Sequence, residues 1–221
     1  MNKIVLWFVK ITGYIPHLFY FKKKIYYLNK KEQSRKIKGP AILISNHKTL
    51  FDFALYLYVF FTRDMFTLVG EVMFKKGKLF SWFFKKIGCI KVDRENFDFD
   101  FIEKSLNILK KNKVLQIYPE SRLPLKEEKE MLPFKPSFVY IALESGAPII
   151  PVYTNGAYNT KRRAKVLIGE KLYLRELYRD DLSEKENIDY LCNYVRDYII
   201  NLERKLNEIE KEEKKSISKN I

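Results

Sequence analysis

Apolar residues follow two different patterns along this chain. In residues 4–21 they form a mostly apolar and aromatic run, interrupted by Lys10, Gly13, Pro16 and His17. That run falls short of the ~20 clean residues a spanning helix needs. Lys3, Lys10, His17 and Lys24 recur every seven residues, so on a helix they form one polar stripe beneath a Trp/Phe/Ile/Leu face, the pattern of a helix lying in a membrane interface. Pro16 is expected to divide the helix in two. A core-packing helix is the alternative reading. A secretory signal is set aside, because no small-residue cleavage site follows and the chain runs into Lys22, Lys23 and Lys24.

Beyond Gly39 and Pro40, short β-rich runs alternate with helical stretches. The pattern predicts strands over 41–45, 66–69, 89–93, 114–118, 149–153 and 165–168, and helices over 50–61, 78–86, 99–111 and 134–144. Such alternation implies an α/β fold, a largely parallel central sheet flanked by helices, with sites at strand ends. Ile188, Leu191, Val195, Ile199, Leu202, Leu206 and Ile209 then recur at helical spacing before a Lys/Glu-rich end. The expected organisation is a basic amphipathic membrane-contacting segment over 1–38, an α/β domain over 39–183, and a docking helix with a solvated tail over 184–221.

Charge changes this picture by pointing to a partner. The chain carries a net +15 over 221 residues, and residues 1–40 hold ten Lys or Arg against Glu32 alone. Phospholipid headgroups, nucleic acid and phosphorylated substrates all suit that balance. The apolar run beside the basic cluster favours an anionic membrane surface. Lys75, Lys76, Lys85 and Lys86, interleaved with Phe74, Phe80, Trp82, Phe83 and Phe84, suit either a membrane-facing rim or a solvated helix face. Cys89 and Cys192 are far apart, which suggests neither a disulfide framework nor a Cys-based zinc site, and a reducing cytoplasm fits. No metal is expected.

Candidate chemistry begins at Asn46-His47-Lys48-Thr49-Leu50-Phe51-Asp52, just after a predicted strand. Five residues on a regular helix are a rotation of about 140°, so His47 and Asp52 meet only if the backbone turns between them. Thr49 and Asp52 have the spacing of a capping box, which puts Asp52 in the first helical turn and His47 in the preceding loop. A His oriented by a carboxylate is a general base suited to removing a hydroxyl proton. Alternatively, Asp52 only caps the helix. Arg94 follows a predicted strand and can offer a planar fork to phosphate, or pair with Asp93 or Glu95. Lys91 falls on the opposite side of that strand from Arg94. Glu120 and Arg122 sit where the strand over 114–118 ends.

Together these segments resemble the glycerolipid acyltransferases that acylate glycerol 3-phosphate and lysophosphatidic acid. Asn46-His47-x4-Asp52 is similar to their first signature, Gly88-Cys89-Ile90-Lys91-Val92-Asp93-Arg94 to the second, Tyr118-Pro119-Glu120 with Arg122 to the third, and Ala147-Pro148-Ile149-Ile150-Pro151-Val152 to the fourth. The resemblance runs from about Gly39 to Gly169. It implies His47 and Asp52 as catalytic residues, with Arg94, Glu120, Arg122 and Lys91 binding substrate. Glu120 would serve the acceptor's glycerol part and Arg122 its phosphate. The third motif departs from the usual Pro-Glu-Gly-Thr-Arg by being one residue shorter and lacking the glycine.

What this resemblance implies is transfer of a fatty acyl group from acyl-CoA or acyl carrier protein to the sn-2 hydroxyl of 1-acyl-sn-glycerol 3-phosphate, making phosphatidic acid in phospholipid biosynthesis. No cofactor is needed, and another lysolipid or glycerol 3-phosphate is the alternative acceptor. The expected location is the cytoplasmic face of the cell membrane, as a peripheral or monotopic protein. A serine hydrolase is a rival, but no Gly-x-Ser-x-Gly elbow is present. A basic nucleic-acid-binding module is another, although no zinc-finger or RNA-recognition signature accompanies the charge, and no nucleic acid is expected.

Overall fold

In the computed structural model, which describes residues 1–93, 100–128, 130–159 and 163–219, the predicted alternation becomes a sheet covered on both faces. The elements are α1 (Lys3–Thr12), α2 (Tyr14–Phe21), β1 (Lys24–Tyr27), β2 (Ala41–Ser45), α3 (Asp52–Val59), β3 (Met65–Gly70), α4 (Lys78–Ile87), β4 (Cys89–Val92), α5 (Asp100–Lys110), β5 (Val114–Ile117), α6 (Ser137–Ser145), β6 (Ile149–Thr154), β7 (Lys165–Ile168) and α7 (Glu184–Lys219). Among the described residues the sheet has seven strands in the order β1-β7-β6-β2-β5-β3-β4. Only the β6–β7 pair is antiparallel.

β2 lies at the centre of this order and is buried along its whole length. Its side chains alternate between two cores. Ile42 and Ile44 join the core under α5, α6 and α7, whereas Ala41 and Leu43 join the one under α2 and α3. Burial on both faces is why the central strands read as continuous apolar runs instead of alternating ones. Each fully buried Leu or Ile adds roughly 1.5–3 kcal/mol, and α7 contributes Leu191, Val195, Ile199, Leu202 and Leu206. The helix runs on to Lys219, and Glu213 accepts hydrogen bonds from Lys24, Tyr26 and Lys165.

The first 38 residues differ from the expectation in three ways. They are not an appendage, because β1 pairs in register with β7 (Lys24↔Lys165 to Tyr27↔Ile168). The helix divides at Gly13, not at Pro16. Pro16 occupies the first turn of α2, where proline is tolerated, and the two helices meet at a 53° bend. Finally, the middle of the polar stripe faces the protein, while Lys3 and Lys24 at its two ends stay exposed. Lys10 and His17 are buried, Lys24 is in β1, and the apolar side chains of Ile4, Phe8, Ile11, Ile15 and Phe19 point outwards, each at least 65% exposed. Lys10 Nζ donates to the carbonyls of Phe61 (2.6 Å) and Arg63 (3.0 Å) and lies over the Trp7 and Phe61 rings. Burial pushes its pKa down, and the nearby Asp64 charge partly opposes this. No single described helix is long and apolar enough to cross a membrane, although the bent pair α1–α2 passes that test by length and composition.

Candidate active site

β6, β2, β5, β3 and β4 run parallel, so their C-terminal ends share one edge of the sheet, where α/β sheets gather ligand groups. At the centre of that edge β2 ends at Ser45, and Asn46 ties the departing chain to β6. Its Nδ2 donates to Thr154 O and its Oδ1 accepts from Thr154 N, both at 2.9 Å. The chain then turns before α3, as the capping reading required. Asp52 Oδ2 accepts from Thr49 N (3.0 Å), while Thr49 Oγ1 accepts from Phe51 N (3.0 Å), one residue earlier than a regular box. The helix starts at Asp52, two residues later than the pattern predicted.

The turn brings His47 and Asp52 together. His47 Nδ1 bonds Asp52 Oδ2 at 2.9 Å, and Lys48 N donates to the same oxygen at 2.7 Å. Asp52 is fully buried. Its other oxygen accepts from the Tyr158 hydroxyl at 2.6 Å. Burial, reinforced by the Asp52 charge, raises the Tyr158 pKa, so the phenol stays a neutral donor. With Nδ1 committed to the carboxylate, Nε2 is the basic atom of His47, which retains 16% side-chain exposure. The imidazole stacks on Tyr118 at 4.3 Å between centroids, and Gln116 Nε2 donates to Tyr118 Oη at 2.6 Å while Thr67 Oγ1 donates to Gln116 Oε1 at 3.1 Å. The loop after β6 passes so close to Lys48 that a Cβ at Gly156 (φ +67°) would lie 2.7 Å from Lys48 Cβ. Glycine is required there both by space and by backbone conformation.

Glu120 reaches the same place from the end of β5. Its Oε1 accepts from His47 N at 2.7 Å and its Oε2 from Leu132 N at 3.1 Å, so it fixes the backbone of the base. Burial raises its pKa, partly offset by those two amides. Ser121 stands where the usual motif has glycine and takes a left-handed φ of 68°. Arg122 is turned away into a bidentate pair with Glu128 (2.7 and 2.6 Å), whose Oε2 also accepts from Leu125 N. Its guanidinium therefore faces a carboxylate, not an open phosphate site.

Lys91 lies at the end of β4, three strand positions from β2, or about 14 Å at the usual strand spacing. It pairs with Glu71 at 3.2 Å and is not brought to His47. Arg94 lies outside the described residues. Tyr158 and Tyr118 are the contacts that sequence reasoning missed. In the sequence Tyr118 stands out only as part of a signature, and Tyr158 sits in a loop 106 residues from its carboxylate partner.

Comparison with known proteins identifies the family and the fold. A family model described as Acyltransferase matches residues 25–155, from β1 to the loop after β6. The 1-acyl-sn-glycerol-3-phosphate acyltransferase of Saccharomyces cerevisiae is 26% identical over 173 residues, a stretch covering 74% of this chain and 55% of the yeast protein. This chain thus spans little more than half the length of that relative. The Bacillus subtilis protein of the same name is 28% identical over 139 residues, covering 61% of this chain and 67% of its own. The crystal structure of PlsC, the 1-acyl-sn-glycerophosphate (LPA) acyltransferase from Thermotoga maritima, has the same fold. Its TM-score is 0.61 at 18% identity, over 91% of this chain and 80% of that one. With the family match spanning more than half its residues and enclosing the His47–Asp52 turn, the chain belongs to the acyltransferase family.

Proposed function

We propose that this protein transfers a fatty acyl group from an acyl thioester, acyl-CoA or acyl carrier protein, to the free sn-2 hydroxyl of 1-acyl-sn-glycerol 3-phosphate. The observation that carries this reading is the hydrogen bond between His47 Nδ1 and buried Asp52, which leaves Nε2 as the base. Names of the yeast and Bacillus subtilis relatives support the acceptor. In the proposed reaction His47 Nε2 takes the hydroxyl proton as that oxygen attacks the thioester carbonyl. The resulting imidazolium is stabilised by Asp52 and returns its proton to the departing thiolate as the C–S bond breaks. The product is the ester and a free thiol. No acyl-enzyme is required.

The phosphate of the acceptor needs cations. Arg122 serves it only by exchanging Glu128 for the phosphate, a substitution of one bidentate anion by another. Lys48, whose charge acts on Glu120, and Lys135, whose amide donates to Pro119 O at 2.9 Å, flank the same strand end. We place the reaction at the cytoplasmic face of the membrane. Supporting this are the outward apolar faces of α1 and α2, the exposed Leu50 and Phe51 beside His47, and the basic first 40 residues.

Incubating labelled acyl-CoA or acyl carrier protein with lysophosphatidic acid, glycerol 3-phosphate or lysophosphatidylcholine tests the reading. Phosphatidic acid should form from lysophosphatidic acid, with little product from the other two. Release of free fatty acid without any acceptor would indicate a hydrolase instead. Preferred use of lysophosphatidylcholine would refute the phosphomonoester acceptor.

A further inference from the structure

β1 forms one edge of the sheet, and its two faces are unlike in charge. On one, Lys24 and Tyr26 bond Glu213, which also takes Lys165, and Glu210 lies 3.6 Å from Lys165, so two carboxylates balance the two cations. On the other, Ile25 and Tyr27 line an open cavity of about 580 Å³ shared with Lys22, Lys23, Arg35 and Arg163. No carboxylate lines it, and none of these four cations has an ion-pair partner among the described residues.

The cavity is held in place from below. Lys23 Nζ donates to His17 Nε2, the His17 Nδ1–H donates to Tyr14 O at 2.6 Å, and the ring stacks on Tyr58 at 4.0 Å between centroids. His17 is only 4% exposed. Burial, with the Arg35 charge adding to it, pushes the Lys23 pKa down, as expected for cations crowded without a counter-ion. Leu18 also lines the cavity, and it belongs to the apolar row that α2 turns outwards with Ile15 and Phe19. The cations thus stand where apolar surface gives way to charge, the arrangement of a lipid's acyl chains beneath its phosphate.

We propose that this cavity is a headgroup site for a single anionic phospholipid of the bilayer, the phosphate ringed by Lys22, Lys23, Arg35 and Arg163 and the acyl chains lying along α2. The proposal rests on the membrane-surface reading above. Arg35 and Arg163 supply planar forks for bidentate contacts, and the lysines supply compact charge. Since Tyr20 of α2 packs on Phe51 at 5.3 Å, an occupied headgroup site would fix the bilayer beside the loop that follows His47.

Flotation of the full-length protein with vesicles of phosphatidylcholine, with and without phosphatidic acid, tests this. Wild-type binding should strengthen and saturate when the anionic lipid is present. Lys23→Gln/Arg35→Gln should lose about 25-fold of that affinity, at about fivefold for each cation removed at the surface, and should keep its binding to phosphatidylcholine alone. Lys30→Gln/Lys36→Gln removes the same charge outside the cavity and should lose much less. Equal losses in the two double variants would show diffuse attraction and overturn the site. Release of the wild type from anionic vesicles by free coenzyme A or inorganic phosphate at constant ionic strength would also overturn it, by assigning the cavity to a soluble phosphate. Arg35 is exposed on a loop, so Arg35→Gln alone, with an expected loss of about fivefold, keeps the test decisive if Lys23→Gln does not fold. Flotation does not read turnover, so its failure is distinguishable from a failure of acyl transfer.

Discussion

Asp52 accepts hydrogen bonds from His47 Nδ1, Lys48 N, Thr49 N and Tyr158 Oη while remaining fully buried. A buried carboxylate is tolerable only when so satisfied, and the same contacts fix both tautomer and direction of the imidazole. Tyr158→Phe removes one charge-assisted bond, worth roughly 1.5–3 kcal/mol, and keeps the ring that packs on Phe21. kcat for acyl transfer should fall about tenfold or more with KM nearly unchanged, because the loss acts on the base and not on substrate contacts. An unchanged kcat would show that Tyr158 only fills space. His47, Asp52 and Glu120 were legible from the sequence because short spacings next to predicted strand ends place them. Tyr158 was not, since its pairing depends on how the loop after β6 returns over β2. For Arg122, the sequence showed the fork but not that Glu128, six residues on, occupies it.

At the scale of elements, the α1–α2 corner carries the clearest packing constraint. A Cβ at Gly13 would lie 2.2 Å from Tyr58 Oη, the hydroxyl that donates to Val9 O at 3.0 Å. Gly13→Ala should therefore destabilise the protein by about 1–3 kcal/mol through overpacking, and Tyr58→Phe, by removing the clashing atom, should recover part of that loss. Thermal unfolding of the two single variants and the double would measure the coupling. Additive losses would mean that the corner relaxes in another way. Periodicity puts Lys10 and His17 on one side of the helices, but the spacing does not say which face is covered. That is decided by carbonyls of Phe61 and Arg63, some 50 residues away, which solvate the Lys10 ammonium. β1 escaped notice because four residues beginning in a lysine run carry too little alternation, and its pairing with β7 spans most of the chain.

For the whole molecule, the order of strands explains why distant motifs converge. β2 lies between β6 and β5, so the first, third and fourth signatures end side by side, whereas the described part of the second, residues 88–93, follows the edge strand β4. The α/β class and nearly parallel sheet were readable from alternation alone; this strand order was not, because it is set by crossovers that local pattern does not encode. The proposed reaction depends on His47 acting as a base held by Asp52. Its most direct test is single-turnover transfer of a labelled acyl group to lysophosphatidic acid by folded wild-type, His47→Ala and Asp52→Asn proteins at saturating substrates. Turnover by His47→Ala should fall by ~10²- to 10⁴-fold and that by Asp52→Asn should fall substantially as well, with both variants keeping the native fold by circular dichroism. Near-normal turnover by a folded His47→Ala protein would contradict a base role for His47.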